Sequence, residues 1–199
     1  MTLLHALDLL STFVFALVGA RIAADRGLDY GGITFIATIA SISGGTLRNV
    51  FLGDMPVWIT DPWIIASVLA AVAITLTFRR VTHVGKTLLV MDTFALATAT
   101  MSGTQLAFEI NIPWYSCIIL GVITAVTGGL LRDVLCQVEP VLLHRETIGT
   151  SALVGAASFV ALVSLGIAEL PAVIVGGFLV IMTRVISIQF DLHLPKFVK

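Results

Sequence analysis

Seven long apolar stretches, separated by short polar breaks, dominate the chain. They run at about 5–24, 31–51, 62–79, 87–107, 114–136, 147–166 and 171–190. The breaks carry charge, Gly or Pro: Asp25-Arg26-Gly27, Gly53-Asp54-Met55-Pro56, Arg79-Arg80, Asn111-Ile112-Pro113, Glu139-Pro140 and Glu169-Leu170-Pro171. Each stretch is close to the roughly 20 residues a helix needs to cross a bilayer. None alternates with period two, so a transmembrane β-barrel is not expected. Pro62, Pro113 and Pro171 stand at or just before the start of a stretch, where a missing N–H costs little. The pattern predicts an all-α polytopic membrane protein with seven transmembrane helices, forming a single membrane domain over 1–199.

Composition agrees with this. Hydrophobic residues make up 58% of the 199 positions and charged residues 12%, about half the charge of a typical soluble domain. Such a chain cannot cover a soluble globule, and seven spans leave no room for a separate catalytic domain. The 11 basic and 12 acidic residues nearly cancel, so no field draws nucleic acid to the surface. Cys117 and Cys136 sit in apolar stretches without metal-ligand spacing and read as buried small hydrophobes. The N-terminal MTLLHALDLL has no basic leader, so the first stretch is expected to be retained as a helix.

The few charges are sorted. With seven spans, Arg21, Arg26, Arg79, Arg80, Lys86, Arg145, Lys196 and Lys199 fall on one side, and the other side has no Lys or Arg. The positive-inside rule then puts the N-terminus outside and the C-terminus in the cytoplasm, in the cell (inner) membrane. Trp58, Trp63 and Trp114 read as interfacial anchors. His5, His83, His144 and His193 read as interfacial residues with no metal-ligand pairing.

The chain also matches itself at an offset of 84 residues. Asp8 falls on Asp92, Gly19 on Gly103, Gly44-Gly45 on Gly128-Gly129, Leu47-Arg48 on Leu131-Arg132, and Pro56-Val57 on Pro140-Val141. Asn49 meets Asp133. The units run from about 5 to 80 and from about 87 to 166, with the seventh helix at about 171–190 added. Three helices per unit make the second enter from the opposite face, an inverted repeat of the kind found in many secondary transporters.

Candidate chemistry follows the repeat. Gly44-Gly45 and Gly128-Gly129 could serve close helix packing. They could instead break the second and fifth helices and expose backbone to a polar path. An arginine three residues after each pair favours the break. Arg48 and Arg132 are expensive at membrane depth. They either snorkel to an interface or face a water path, beside Asn49 and Asp133. Asp8 and Asp92 read either as carboxylates in the first turns of helices 1 and 4 or as partners of Arg48 and Arg132, which they match in depth. Ser41, Ser43, Thr46, Thr124 and Thr127 surround the glycines and either bond back to their own helices or line a hydrated path. Arg184, in the seventh helix, has no assignment. No catalytic motif, P-loop or dinucleotide fingerprint occurs. No enzyme activity, cofactor or metal is expected.

Together these features resemble the trimeric intracellular cation (TRIC) channel family in its bacterial and archaeal branch. The duplicated Gly44-Gly45-Thr46-Leu47-Arg48-Asn49 and Gly128-Gly129-Leu130-Leu131-Arg132-Asp133 carry the likeness. The resemblance implies a homotrimer in membrane lipid with one pore per subunit, lined mainly by helices 2 and 5 kinked at the glycines. It implies passive conduction of potassium and sodium ions, with Arg48 and Arg132 in or beside the pore. The charged tail of animal members has no counterpart at Phe197-Val198-Lys199, so animal-type regulation is not expected. A carrier for a small zwitterion such as glycine is the alternative, and a non-transporting scaffold a third.

Overall fold

The computed structural model describes residues 2–78, 84–138 and 147–190. Among them run eight helices: α1 (Leu3–Asp25), α2 (Tyr30–Phe51), α3 (Val57–Thr60), α4 (Pro62–Thr77), α5 (Val84–Glu109), α6 (Trp114–Leu135), α7 (Thr147–Ser164) and α8 (Glu169–Gln189). The long helices fall on the apolar stretches read from the sequence. The short α3 is an addition to that pattern. It occupies the break between α2 and α4, beginning after Pro56 and ending before Asp61, and it carries Trp58.

Four helices, α1, α2, α6 and α8, are long and apolar enough to cross a membrane. The ends of the helices follow from local chemistry. Thr2, Asp29 and Asp61 cap α1, α2 and α4, and the Asp29 carboxylate accepts from the Gly32 N–H at 2.7 Å. Beyond α2 and α6 the chain turns through the left-handed region, at Gly53 (φ 74°) and at Gln137 (φ 52°). The two positions lie 84 apart. The reversals match: Asp54 N–H donates to the Asn49 carbonyl, and Val138 N–H to the Asp133 carbonyl, both at 2.9 Å.

Small residues set the packing. A Cβ on Gly19 would sit 3.0 Å from the Ala40 Cβ, bringing α1 close to α2. Gly103 meets Thr124 and Gly121 in the same way, bringing α5 close to α6. Gly155 and Gly176 let α7 and α8 approach. Between helices in lipid, close backbone approach of this kind supplies the attraction that the hydrophobic effect supplies in water. Large apolar side chains such as Phe35, Leu69, Ile174 and Phe178 are left on the outside, as a lipid-facing surface requires.

Arg79, Arg80, Arg145, Lys196, Lys199, His83, His144, His193 and the segment Glu139-Pro140-Val141 lie outside the described residues, as does the side chain of Lys86. The charge segregation read from the sequence therefore rests on the sequence.

Candidate functional site

The glycine pairs do not interrupt their helices. The α-helix runs unbroken from Tyr30 to Phe51 and from Trp114 to Leu135. In place of a break there is a close crossing of α2 and α6. A Cβ on Gly44 would run into the Thr124 carbonyl oxygen, and one on Gly128 into the Ala40 carbonyl oxygen. The two contacts are reciprocal, since Ala40 and Thr124 also lie 84 residues apart. Gly45 and Gly129 point elsewhere, toward the guanidinium groups of Arg48 and Arg132. A Cβ added at these two positions would lie 3.9 and 3.7 Å from the respective Nη2 atoms. The sequence-based helix break at Gly44, Gly45, Gly128 and Gly129 is thus corrected. The backbone polar groups stay paired, and the missing side chains make room for a neighbouring helix.

Each arginine sits in the last turn of its helix, where a cation is favoured by the helix dipole. Arg48 is buried to 1% exposure. Its Nη1 donates to Asp8 Oδ1 at 2.9 Å and its Nη2 to Asp8 Oδ2 at 3.1 Å. Its Nε donates to Asn49 Oδ1 at 2.9 Å, and Nη1 also reaches Ser102 Oγ at 2.6 Å. The Ser102 hydroxyl donates in turn to Asp8. Asn49 is held by donating to the Met55 carbonyl at 2.8 Å.

Arg132 repeats the arrangement. Nη1 donates to Asp92 Oδ1 and Nε to Asp133 Oδ1, both at 2.8 Å. Here, however, the second oxygen of Asp92 accepts from Arg184 Nη2 at 2.9 Å, and Arg184 Nε donates to Thr93 Oγ1 at 3.0 Å. Asp8 and Asp92 therefore meet the arginines matched to them in depth. Neither lies in a first helical turn, because α1 begins at Leu3 and α5 at Val84. Their positions answer to the buried guanidiniums and not to the helix dipole, which acts within the first turn. The arginines do not snorkel. Each is fully enclosed, and a buried charge is tolerable only when paired and hydrogen-bonded. Among the described residues the first cluster pairs one Arg with one Asp and the second pairs two with two, so their charges balance there.

A narrow cleft opens beside the first cluster, lined by Asp8, Ser11, Thr12, Ser41, Thr46 and Arg48 among others. A smaller one lies beside Asp92, Arg132 and Asp133. Ser43 and Thr127 line neither. Thr127 donates to the Ile123 carbonyl of its own helix, as Thr46, Thr124 and Ser41 also do to theirs. Among the described residues the buried Ser43 Oγ has no hydrogen-bond partner. Among those residues, too, no group of three or more His, Cys, Asp or Glu could hold a metal ion.

Four positions make contacts that the sequence reading did not assign. Ser102 has no polar counterpart 84 residues earlier, where Val18 stands, so the repeat gives no sign of it. Arg184 lies outside the repeat. Trp58 is no simple interfacial anchor. It is half-buried on the first cleft, and its Nε1 donates to Thr46 Oγ1 at 3.1 Å. His5 is also more than an interfacial residue, since its Nδ1 lies 3.2 Å from Asp61 Oδ2 and joins α1 to the start of α4.

Comparison with known proteins places this geometry. A family model described as "Glycine transporter" matches twice, over residues 5–80 and 89–164. A UPF0126 membrane protein of Vibrio cholerae is 32% identical over 98% of this chain and 83% of its own length. The UPF0126 inner membrane protein YadS of Escherichia coli K12 is 30% identical, over 98% of this chain and 96% of its own. The crystal structure of a TRIC trimeric intracellular cation channel orthologue from Rhodobacter sphaeroides superposes with a TM-score of 0.90 at 31% identity. That match covers 96% of this chain and 100% of the other.

Proposed function

The chain belongs to the trimeric intracellular cation channel family, matched also by the glycine-transporter model, and on that premise we propose that it conducts potassium and sodium ions passively. Each subunit of a homotrimer holds its own pore, in the inner membrane. The observation that carries this reading is the pair of buried clusters flanking the α2–α6 crossing, in which each described arginine is paired with a carboxylate, in a fold similar to a cation channel.

Bare arginines beside a pore favour anions. Here, among the described residues, Asp8 offsets the charge of Arg48, and Asp92 and Asp133 offset those of Arg132 and Arg184. A cation can then pass without meeting a net positive field. Asp8, Thr46 and Arg48 face the first cleft, and Asp92, Arg132 and Asp133 the second. Asn49 orients Arg48, while Ser43 and Thr127 stand on the two crossing helices outside the lining of both clefts. Opening flexes α2 and α6 at the glycine pairs, where no side chain resists a bend.

The seven long helices are read as seven spans in two inverted units of three plus α8. The double family match, with both ends displaced by 84 residues, supports the repeat. The N-terminus then lies outside and the C-terminus in the cytoplasm.

Purified protein reconstituted in a planar bilayer under a potassium gradient tests this. Discrete current steps reversing near the potassium potential are expected. The description of the family model favours one second reading, an alternating-access carrier for glycine. It predicts saturable glycine uptake into liposomes without current steps. Neither signal would leave a membrane scaffold.

A further inference from the structure

The two clefts are built on corresponding positions, yet their chemistry differs. Asp8, Gly45 and Arg48 of the first correspond to Asp92, Gly129 and Arg132 of the second. Around these shared groups the walls diverge. Thr12, Ser41 and Thr46 in the first are replaced by Leu96, Ala125 and Leu130 in the second. A buried water needs two to four polar partners, and genuinely empty cavities are apolar. The first cleft offers such partners along its wall, whereas the second offers them only at its charged end.

Phe15 lines both clefts. It is 4% exposed and lies against the α2–α6 crossing, where its Cδ1 is 3.9 Å from the place a Gly128 Cβ would take. The position 84 residues on is Ala99, which lines the first cleft. The chain thus places one bulky ring, and not two, at the junction of the clefts. A phenyl ring next to an apolar wall offers water no hydrogen bond, and a narrow apolar constriction blocks ions by dewetting.

We propose that Phe15, together with the apolar wall of Leu96 and Leu130, forms the septum that separates a hydrated half-path from a dry one and sets the barrier to ion passage. The proposal rests on the channel reading above and adds to it the place of the barrier. Ions hydrate readily as far as Thr12 and Ser41. Beyond Phe15 the path conducts only when the ring withdraws or when the second cleft gains polar lining.

The test uses potassium currents in planar bilayers from the full chain, with Phe15→Ala and Leu96→Thr, the latter installing the residue that stands 84 positions earlier. Phe15→Ala should raise time-averaged current about tenfold, equivalent to about 1.4 kcal/mol off the barrier. Leu96→Thr should raise it by a smaller factor, and the double variant should exceed either. Both variants should elute at the wild-type position in size-exclusion chromatography.

Wild-type current with no increase in a correctly eluting Phe15→Ala overturns the septum while leaving the channel reading intact. Should Phe15→Ala misassemble, Leu96→Thr decides alone, and an unchanged current overturns the proposal. Current in a variant over a silent wild type supports it. Silence in all three, with glycine uptake retained, removes the channel reading and the septum with it.

Discussion

Replacing Asp8 and Asp92 by Asn offers two matched perturbations with different expected costs. Each substitution keeps the side-chain shape and removes one negative charge. In Asp8→Asn, Arg48 loses one of the two oxygens it meets at 2.9 and 3.1 Å and the charge they share, but keeps Asn49, Ser102 and the new amide oxygen as neutral acceptors. Arg48 is almost wholly buried, and leaving a buried charge without its partner costs about 3–5 kcal/mol. The cost should fall near the lower end, about 3 kcal/mol, because these neutral acceptors remain.

In Asp92→Asn, two arginines lose their shared carboxylate. Arg132 keeps Asp133, while Arg184 is left with Thr93 and the new amide. The attraction that held the two guanidiniums together is gone, so the loss should reach about 5 kcal/mol. At about 2–4 °C per kcal/mol for a chain of this size, the midpoint should drop by about 6–12 °C in Asp8→Asn and further in Asp92→Asn. Thermal unfolding of detergent-purified protein, followed by tryptophan fluorescence, measures both. Adding Arg184→Met to Asp92→Asn should recover part of the loss, because the second unpaired charge is removed. Equal midpoints for the two single variants, or no recovery in the double, would refute the reasoning.

Other outcomes follow from the same geometry. Gly44→Ala and Gly128→Ala force a methyl into a backbone carbonyl of the facing helix and should destabilise by about 1–3 kcal/mol or more, read by the same unfolding assay. Gly45→Ala has room and should be neutral or stabilising by up to about 1 kcal/mol, since Ala favours helix over Gly. If it also lowers current, the pair flexes during opening, and unchanged current counts against that flexing. Arg132→Ala should alter conductance or open probability in single-channel recordings, and wild-type behaviour would count against a role beside the pore. The exchange Asp92→Arg with Arg132→Asp should recover none of the stability either change alone loses, because it sets a cation against Arg184 and a carboxylate against Asp133; recovery in the same unfolding assay would count against the cluster's fixed polarity.

The helices were legible in the sequence because lipid imposes a simple demand. A backbone crossing hydrocarbon must satisfy its own hydrogen bonds, so length, apolarity and punctuation suffice to locate each helix. The Asp8–Arg48 and Asp92–Arg132 pairs were legible for a related reason. Charges are so scarce that few partners exist, and the offset of 84 marks corresponding ones. What one dimension could not reveal was what each feature faces. Paired glycines mean either a break or a crossing until the neighbouring carbonyl is known, and only the packing put Thr124 and Ala40 there. Arg184 gains meaning only when α8 lies beside α5 and brings it to Asp92. Phe15 reads as one more apolar residue of α1 until two clefts are seen to share it. The sequence by itself located the long apolar helices and singled out the few charges within them, because both follow from the cost of polar groups in lipid. Only the tertiary structure decided which helix meets which, because that depends on shape complementarity between distant segments.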